Sequence, residues 1–315
     1  MSFNPVNTRY NYPVISKEAR QRNLSIMTIF SLPCYADVRL NAKNTINGLI
    51  LIFFFLSGSI SGSSQKVHRV ISLAPSITET IYLVGAQNNL VGCTSFCSPA
   101  VNDGKEQIGN AVDINIEKIL MLKPDLVLAM LLTKPQDIES MKRLGIKVEV
   151  IPTPENFEEI CNQTIQIAKL IGYESAGIEV VNHSKQVVDS LKLECENTME
   201  KPKIFFQLGA NPIFTVLENT FMNDYILFCH GENIANGLTK GSMTRESVLM
   251  KNPDVIIVAT MGGFGEEEKK IWESYAGLMA AGNNKIFLID SETSCSPTPV
   301  NFAKAFSDVV KFVNQ

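Results

Sequence analysis

Glu117 and Glu246 are the residues whose setting repeats. At an offset of 129 residues, EKILMLKPDLVL and ESVLMKNPDVII share Glu117/Glu246, Leu120/Leu249, Met121/Met250, Pro124/Pro253 and Asp125/Asp254. Each copy reads as a helix that stops before its proline, because the proline ring pushes the preceding residue out of the α region, and a buried strand follows. A glutamate at a helix start complements the positive helix end. Two like carboxylates at matched positions can also form one recognition surface, and the residues alone leave both readings open. The other candidate groups are sparse. His68, His183 and His230 are too far apart for a local metal motif, and neither H-x-x-x-H nor C-x-x-C occurs. Without G-x-S-x-G, Ser72 and Ser76 lack the setting of a hydrolase nucleophile. His230, before Gly231, reads as a helix-end or surface residue. Of the seven cysteines, Cys161, Cys195 and Cys229 fall on apolar helical faces and read as small core residues. No enzyme is expected from this set.

The elements that must position these residues begin at Val67. VHRVISLA, NLVGCTS, PDLVLAM and KVEVIP read as strands; PSITETIYLVGAQ, NIEKILMLK and ESMKRLG read as helices, the first with Ser76 or Thr78 near its start and Gly85 at its end. KPKIFFQLG, PDVIIVAT and NKIFLID restart the strand pattern later. Such alternation predicts an α/β fold with mainly parallel sheets, since parallel strands need crossover helices. Helix formers dominate the middle, where Ile178, Val181, Val188 and Leu191 recur near a helical period. They predict a long, rigid backbone helix joining two α/β lobes and restricting their hinge motion. The expected organisation is an N-terminal extension and signal peptide at 1–65, an N-terminal lobe at 66–155, a linking helical segment at 156–200 and a C-terminal lobe at 201–315.

The 315 residues carry 28 Lys+Arg and 32 Asp+Glu, a net charge of −4. That balance offers no electrostatic footprint for nucleic acid. The charge is uneven: residues 1–65 hold six basic and two acidic side chains, net +4, which leaves −8 for the remainder. Residues 48–56, GLILIFFFL, are uninterrupted apolar, with Arg39 and Lys43 before them and SGSISGSSQ after. Nine helical residues span about 13 Å against a hydrocarbon core of about 30 Å. The run therefore reads as the core of a secretory signal peptide, cleaved within 57–64. The stretch before it is longer than an ordinary basic leader, as an over-extended start would make it. No cysteine follows the apolar core directly, so no lipid anchor is expected.

RVISLAPSITETIYLVGAQNNLVGCTSF, NIEKILMLKPDLVLA, FFQLGANPIFTVLENTFMNDYILFCHGENIANG and TRESVLMKNPDVIIVA occur in that order around the helical middle. Together they resemble the periplasmic substrate-binding proteins of ABC importers for vitamin B12 and ferric siderophores, from about Val67 to the C-terminus. The resemblance implies a bilobal, periplasmic or otherwise extracytoplasmic monomer. Such a protein binds a small molecule between its lobes and delivers it to a permease dimer with ATPase subunits. By position, Glu117 and Glu246 match the glutamates that dock on permease arginines; a two-fold permease presents the same socket twice, which would explain two like carboxylates.

Cleft residues are implied on the loops after the strands: Ala74, Pro75, Ser76, Phe96, Asn211, Pro212, Phe214 and Asp290. LGANPIFT and GENIANG look most like the cobalamin binders, Phe96 matching an aromatic that packs on the corrin ring and Asp290 a polar cleft residue. Those binders carry tryptophans where this chain has Ala111 and Lys240. The sole tryptophan, Trp272, is expected on a surface helix, and Arg245 beside Glu246 is expected to serve the docking face. A corrinoid or other metal chelate is the expected ligand, with a ferric siderophore or haem as the alternative. A secreted hydrolase and a ligand sensor without transport are the readings from other classes. No cofactor and no resident metal are expected, although Cys97 and Cys295, both in the implied cleft loops, could form a disulfide or touch the metal of the ligand.

Overall fold

The computed structural model describes residues 67–110, 112–195 and 201–315. The expected signal peptide with its expected cleavage site, Cys34 and Ala111 lie outside these residues. In the first half, β1 (Val70–Ser72), α1 (Pro75–Leu83), β2 (Leu90–Cys93), α2 (Ser98–Asn102), β3 (Glu106–Gln107), α3 (Ile116–Met121), β4 (Leu126–Met130), α4 (Pro135–Arg143) and β5 (Val148–Ile151) follow one another. The strands form one parallel sheet in the order β3-β2-β1-β4-β5. Val70, Ile71 and Ser72 of β1 and residues 126–129 of β4 are all buried. A central parallel strand is covered on both faces, which is why these runs are continuously buried, and apolar but for Ser72, rather than alternating.

Two helices follow, α5 (Phe157–Leu170) and α6 (Glu174–Cys195). Asn156 caps α5 by accepting a hydrogen bond from the Glu159 N–H at 2.9 Å, while the Glu159 carboxylate reaches back to the Glu155 N–H at 2.8 Å. This reciprocal arrangement satisfies donors that a helix start leaves open. The 22 residues of α6 extend about 33 Å.

The second half comprises β6 (Lys203–Ala210), β7 (Ile213–Thr215), α7 (Asn223–Leu227), β8 (Glu232–Asn233), β9 (Ser242–Met243), α8 (Arg245–Lys251), β10 (Val255–Ala259), α9 (Gly265–Glu273), α10 (Met279–Gly282), β11 (Ile286–Ile289), α11 (Ser291–Ser294) and α12 (Pro299–Asn314). Its sheet runs β11-β10-β6-β7-β9, with β8 beside β6. The pairs β11/β10, β10/β6 and β6/β8 are parallel. β7 folds back antiparallel on β6 through a cis Asn211–Pro212 peptide, and β9 pairs antiparallel with β7. The mainly parallel architecture read from the alternation is present, with an antiparallel edge that the alternation does not announce.

What joins the lobes is α5 as much as the longer α6. Phe157, Ile160 and Cys161 sit in the core of the second lobe, whereas Ile167 and Ala168, with Ile171 just beyond the helix, sit in the core of the first. α6 adds Val181, Val188, Leu191 and Cys195 to the second core and packs against α5 and α12. The α5–α6 approach depends on Gly177, where an added Cβ would lie 2.5 Å from the Cβ of Ala168.

The Pro-Asp pair of the repeat has a structural purpose in both lobes. Lys123 and Asn252, just before the prolines, end their helices at φ 45° and 44°. The Asp125 carboxylate then accepts the backbone N–H groups of His68 and Arg69 at 2.8 and 2.9 Å, and Asp254 accepts that of Lys203 at 2.8 Å. Each aspartate thus staples the entry of β1 or β6 to the start of the neighbouring strand.

Alanine is the better helix former, by about 1 kcal/mol, yet Gly177→Ala is expected to lower the melting temperature, because overpacking typically costs about 1–3 kcal/mol. Thermal denaturation followed by circular dichroism checks this; a higher midpoint would show that α5 and α6 do not need the close approach.

Candidate functional site

The matched helices α3 and α8 are built alike. Asn115 and Thr244 cap them, accepting from the N–H groups of Lys118 and Ser247 at 2.9 and 3.2 Å. Glu117 and Glu246 are the second residue of each helix, and both are exposed. The carboxyl of Glu246 is held below its usual range by its own backbone N–H and the Thr244 hydroxyl. One turn further on, Met121 and Met250 are 80% and 85% exposed. Each lobe therefore presents a carboxylate followed by a bare methionine at helical spacing.

Arg245 does not share that surface. Its Nη2 lies 2.9 and 3.0 Å from the two carboxylate oxygens of Glu268, and its guanidinium stacks 4.6 Å from the Trp272 ring. Trp272 is likewise not on a surface: it is fully buried and donates its indole N–H to the Gln207 Oε1 at 2.7 Å. The Gln207 Nε2 donates to Glu268 at 2.8 Å, which closes the ring of partners. The helix sequence GEEEKKIWE reads as polar, but Glu268 and Trp272 are four apart and face inward together. A buried carboxylate is tolerable only with such partners. Because consecutive helical residues point about 100° apart, anchoring Arg245 inside leaves Glu246 facing out.

The remaining sequence-derived positions lie where parallel strands end. Ala74 and Ser76, after β1, are buried, and Pro75 is half-buried. The Ser72 hydroxyl donates to the Ala74 carbonyl at 3.0 Å, a turn-building bond rather than a nucleophile's setting. Phe96, after β2, is 64% exposed. Asn211, Pro212 and Phe214, at the β6–β7 turn, are exposed. Asp290, after β11, is exposed but caps α11, accepting from the Thr293 N–H and hydroxyl at 2.9 and 2.7 Å.

Sequence reasoning missed Leu131 and Leu132, which follow β4 and are both largely exposed. The available signal is a leucine pair directly beyond a buried strand and before Thr-Lys-Pro. Their loop is tied to the one after β3 by a Lys134–Asp113 ion pair at 2.6 Å. That second loop is shaped by Asn110, whose Oδ1 accepts the N–H groups of Val112 and Asp113 at 2.8 Å each. It also needs Gly109, at φ 131°, where a Cβ would overlap the Asp113 carbonyl.

Cys97 and Cys295 are not joined. Cys97 is fully buried with its Sγ 3.2 Å from the Thr94 hydroxyl, and Cys295 is half-buried with its Sγ 3.8 Å from that of Ser294. Among the described residues no group of three or more His, Cys, Asp or Glu side chains could hold a metal ion, and no helix is long and apolar enough to cross a membrane.

Glu79 on α1 links the lobes directly. Its Oε2 accepts from the Ser296 hydroxyl at 2.8 Å and from the Asn301 side-chain amide at 2.6 Å. Ser296 follows β11, and Asn301 opens α12. Helix α1, which follows β1, therefore meets the segment that leads from α11 into α12, beyond β11. Burial pushes the Glu79 carboxyl up to about 7, against the lowering effect of its two hydrogen bonds. The sequence signal was an acidic residue inside the otherwise uncharged PSITETIYL.

Residues 70–293 match the family model described as periplasmic binding protein. A vitamin B12-binding protein of Photorhabdus laumondii is 31% identical over 232 residues, covering 72% of this chain and 82% of its own. Among solved structures, the periplasmic vitamin B12 binding protein BtuF of Vibrio cholerae is 25% identical with a TM-score of 0.69, over 79% of this chain and 97% of that one. A possible iron-binding periplasmic solute-binding protein from Staphylococcus epidermidis is 27% identical with a TM-score of 0.68, over 80% and 100% of the two chains.

Glu79 gives the fold a pH dependence of definite sign. Its folded pKa of about 7 lies above the ordinary glutamate value of 4.5, so the folded state binds the proton more tightly. The stability it contributes is present below about pH 4.5 and is lost as the pH rises through about 7. Glu79→Gln is expected to flatten that decline, measured as the difference in melting temperature between variant and parent from pH 5 to 8. A constant difference across the range would mean that Glu79 titrates normally.

Proposed function

The chain belongs to the periplasmic binding protein family, and on that premise we propose that it captures a corrinoid in the gap between its lobes and presents it to a permease through Glu117 and Glu246. The coarser part of this statement follows from the family: the protein is an extracytoplasmic binding protein that delivers a small molecule to an ABC transporter permease, and it is not an enzyme.

The observation that carries the ligand class is the set of exposed apolar side chains at the carboxyl edges. Phe96, Leu131, Leu132 and Phe214 are exposed there, with Asn211 and Asp290 as polar neighbours. Ligand pockets combine mostly apolar walls with a few placed polar groups, and this set suits the broad face and amide-bearing rim of a corrin. The described loops after β1, β2, β4, β6, β10 and β11 contain no histidine, tyrosine or arginine, and their one lysine, Lys134, is already paired with Asp113. Haem taken up by side-chain ligation calls for an axial donor, and an anionic ferric chelate calls for cationic partners. A corrinoid can arrive with its own axial ligands and needs neither. The vitamin B12-binding relatives point to the same class.

For delivery, the carrying feature is the repeated carboxylate. The two lobes offer Glu117 and Glu246 from helices capped in the same manner, as a two-fold acceptor with paired cationic sockets requires. The protein acts as a monomer on a permease dimer with ATPase subunits, after export through its N-terminal segment.

Calorimetric titration of residues 66–315 with cobalamin, cobinamide, haem and a ferric siderophore is expected to show binding of the two corrinoids alone. Phe96→Ala is expected to weaken that binding about tenfold, about 1.4 kcal/mol, in line with loss of a stacked aromatic and its buried area. Selective haem or siderophore binding would reject the ligand assignment. Replacing both Glu117 and Glu246 by alanine should leave the corrinoid affinity unchanged and abolish uptake in cells that depend on this receptor; a weakened affinity would place those residues in the binding site instead.

A further inference from the structure

We propose that Cys195 and Cys229 form a disulfide in the exported protein, riveting the end of the long helix α6 to the second lobe. Cys195 is the last residue of α6, and Cys229 lies just beyond α7. The two are 34 positions apart in sequence, yet their sulfurs meet at 2.7 Å. Both are fully buried in one apolar cluster with Val188, Leu191, Tyr225 and Ile226. A thiol is a weak donor and a weak acceptor, so a hydrogen bond alone gives little reason to hold two thiols against each other in a core. No comparable contact involves Cys161, which is buried on α5 with its thiol pushed up to about 12 by burial. Contact polarises the pair: Cys229 is driven up and Cys195 is held down, as the hydrogen bond between them requires.

The inference rests on the extracytoplasmic location that the family membership carries, because cysteine pairs persist as disulfides in oxidising compartments and not in the cytosol. The chemistry is thiol–disulfide exchange with a disulfide-bearing oxidoreductase. The thiolate of one cysteine attacks the S–S bond of the oxidant, which breaks and leaves a mixed disulfide. The thiolate of the second cysteine then attacks the protein sulfur of that intermediate. One S–S bond forms between Cys195 and Cys229, the oxidant leaves as a dithiol with both electrons, and the two thiol protons are released or taken up with it. Both sulfurs are inaccessible once packed, so exchange takes place before this core closes.

The consequence lies in the chain path. After α6 the chain enters β6, the central strand of the second sheet, and Cys229 is close to β8, which pairs with β6. A bond at this point fixes the C-terminal end of α6 to the lobe it serves, just as α5 fixes the other end of the helical pair.

The test uses the full chain, exported to an oxidising compartment and purified without reductant. After denaturation, alkylation and proteolysis, mass spectrometry should find a cross-linked pair of peptides containing Cys195 and Cys229, lighter by two hydrogens than their sum and lost on reduction. Parent protein unfolded and refolded in the presence of reductant should melt several degrees below the oxidised parent, at the midpoint of the Cys195→Ser/Cys229→Ser double variant, which should itself be indifferent to that treatment. Alkylation of both cysteines in the denatured, unreduced protein, a cross-link from either one to a different cysteine, or an unchanged melting temperature after reductive unfolding and refolding would overturn the proposal.

Discussion

The two lobes share a helix, and the behaviour of the whole receptor depends on that. α5 contributes Phe157, Ile160 and Cys161 to one core and Ile167 and Ala168 to the other. Peeling it from either lobe would expose about two large side chains, at about 1.5–3 kcal/mol each. An opened form of that kind would be rarer than about one molecule in a hundred, since about 1.4 kcal/mol corresponds to a tenfold change. Ligand entry must therefore proceed through smaller movements of loops and side chains. Glu79 adds a second tie between the lobes, through Ser296 and Asn301.

The repeated unit shows how one set of residues can build the fold and at the same time set matched carboxylates on its outside. The proline ends a helix at a left-handed residue, the aspartate staples two strand entries, and the cap sets the helix start. Once those constraints are met, the second helical residue is left on the outside in both lobes. Ile116 turns partly into the first core, and Arg245 turns into the ring formed with Glu268, Gln207 and Trp272. Different chemistry at the equivalent inward position yields the same outward glutamate. Matched outward carboxylates follow from matched anchoring rather than from any feature of the glutamates themselves.

How much of this is legible in the sequence varies with the range of the interaction. Alternating buried strands and helices, the break at Lys-Pro and Asn-Pro, and the helical middle are encoded over a few residues, and they are plain. The antiparallel β7 and β9 are not, because strands of three and two residues carry no periodic signal. Arg245 and Trp272 mislead for a different reason. Each sits in a charged stretch, and only the pairing of Arg245 with Glu268, 23 residues away, makes burial tolerable. The candidate site is legible to a smaller extent: Phe96 and Asn211 follow strands that local pattern identifies, but only the resemblance marks them and Phe214 as cleft residues, and Glu79 acquires its role from partners 217 and 222 residues distant. The cysteines follow the same rule, for placement in the implied cleft loops singled out Cys97 and Cys295, while the fold brings Cys195 to Cys229.

The chain holds a single tryptophan, and its surroundings turn it into an optical gauge. Trp272 is sealed from water, packs edge-on to Phe205, lies under the Arg245 guanidinium and donates to Gln207. Its emission arises from one environment, blue-shifted while the second lobe is intact and red-shifted when water reaches the indole. Fluorescence from this protein thus follows the integrity of the core behind α8, one residue removed from Glu246. A chromophore lodged between the lobes would register in the same signal only through its distance from that one ring.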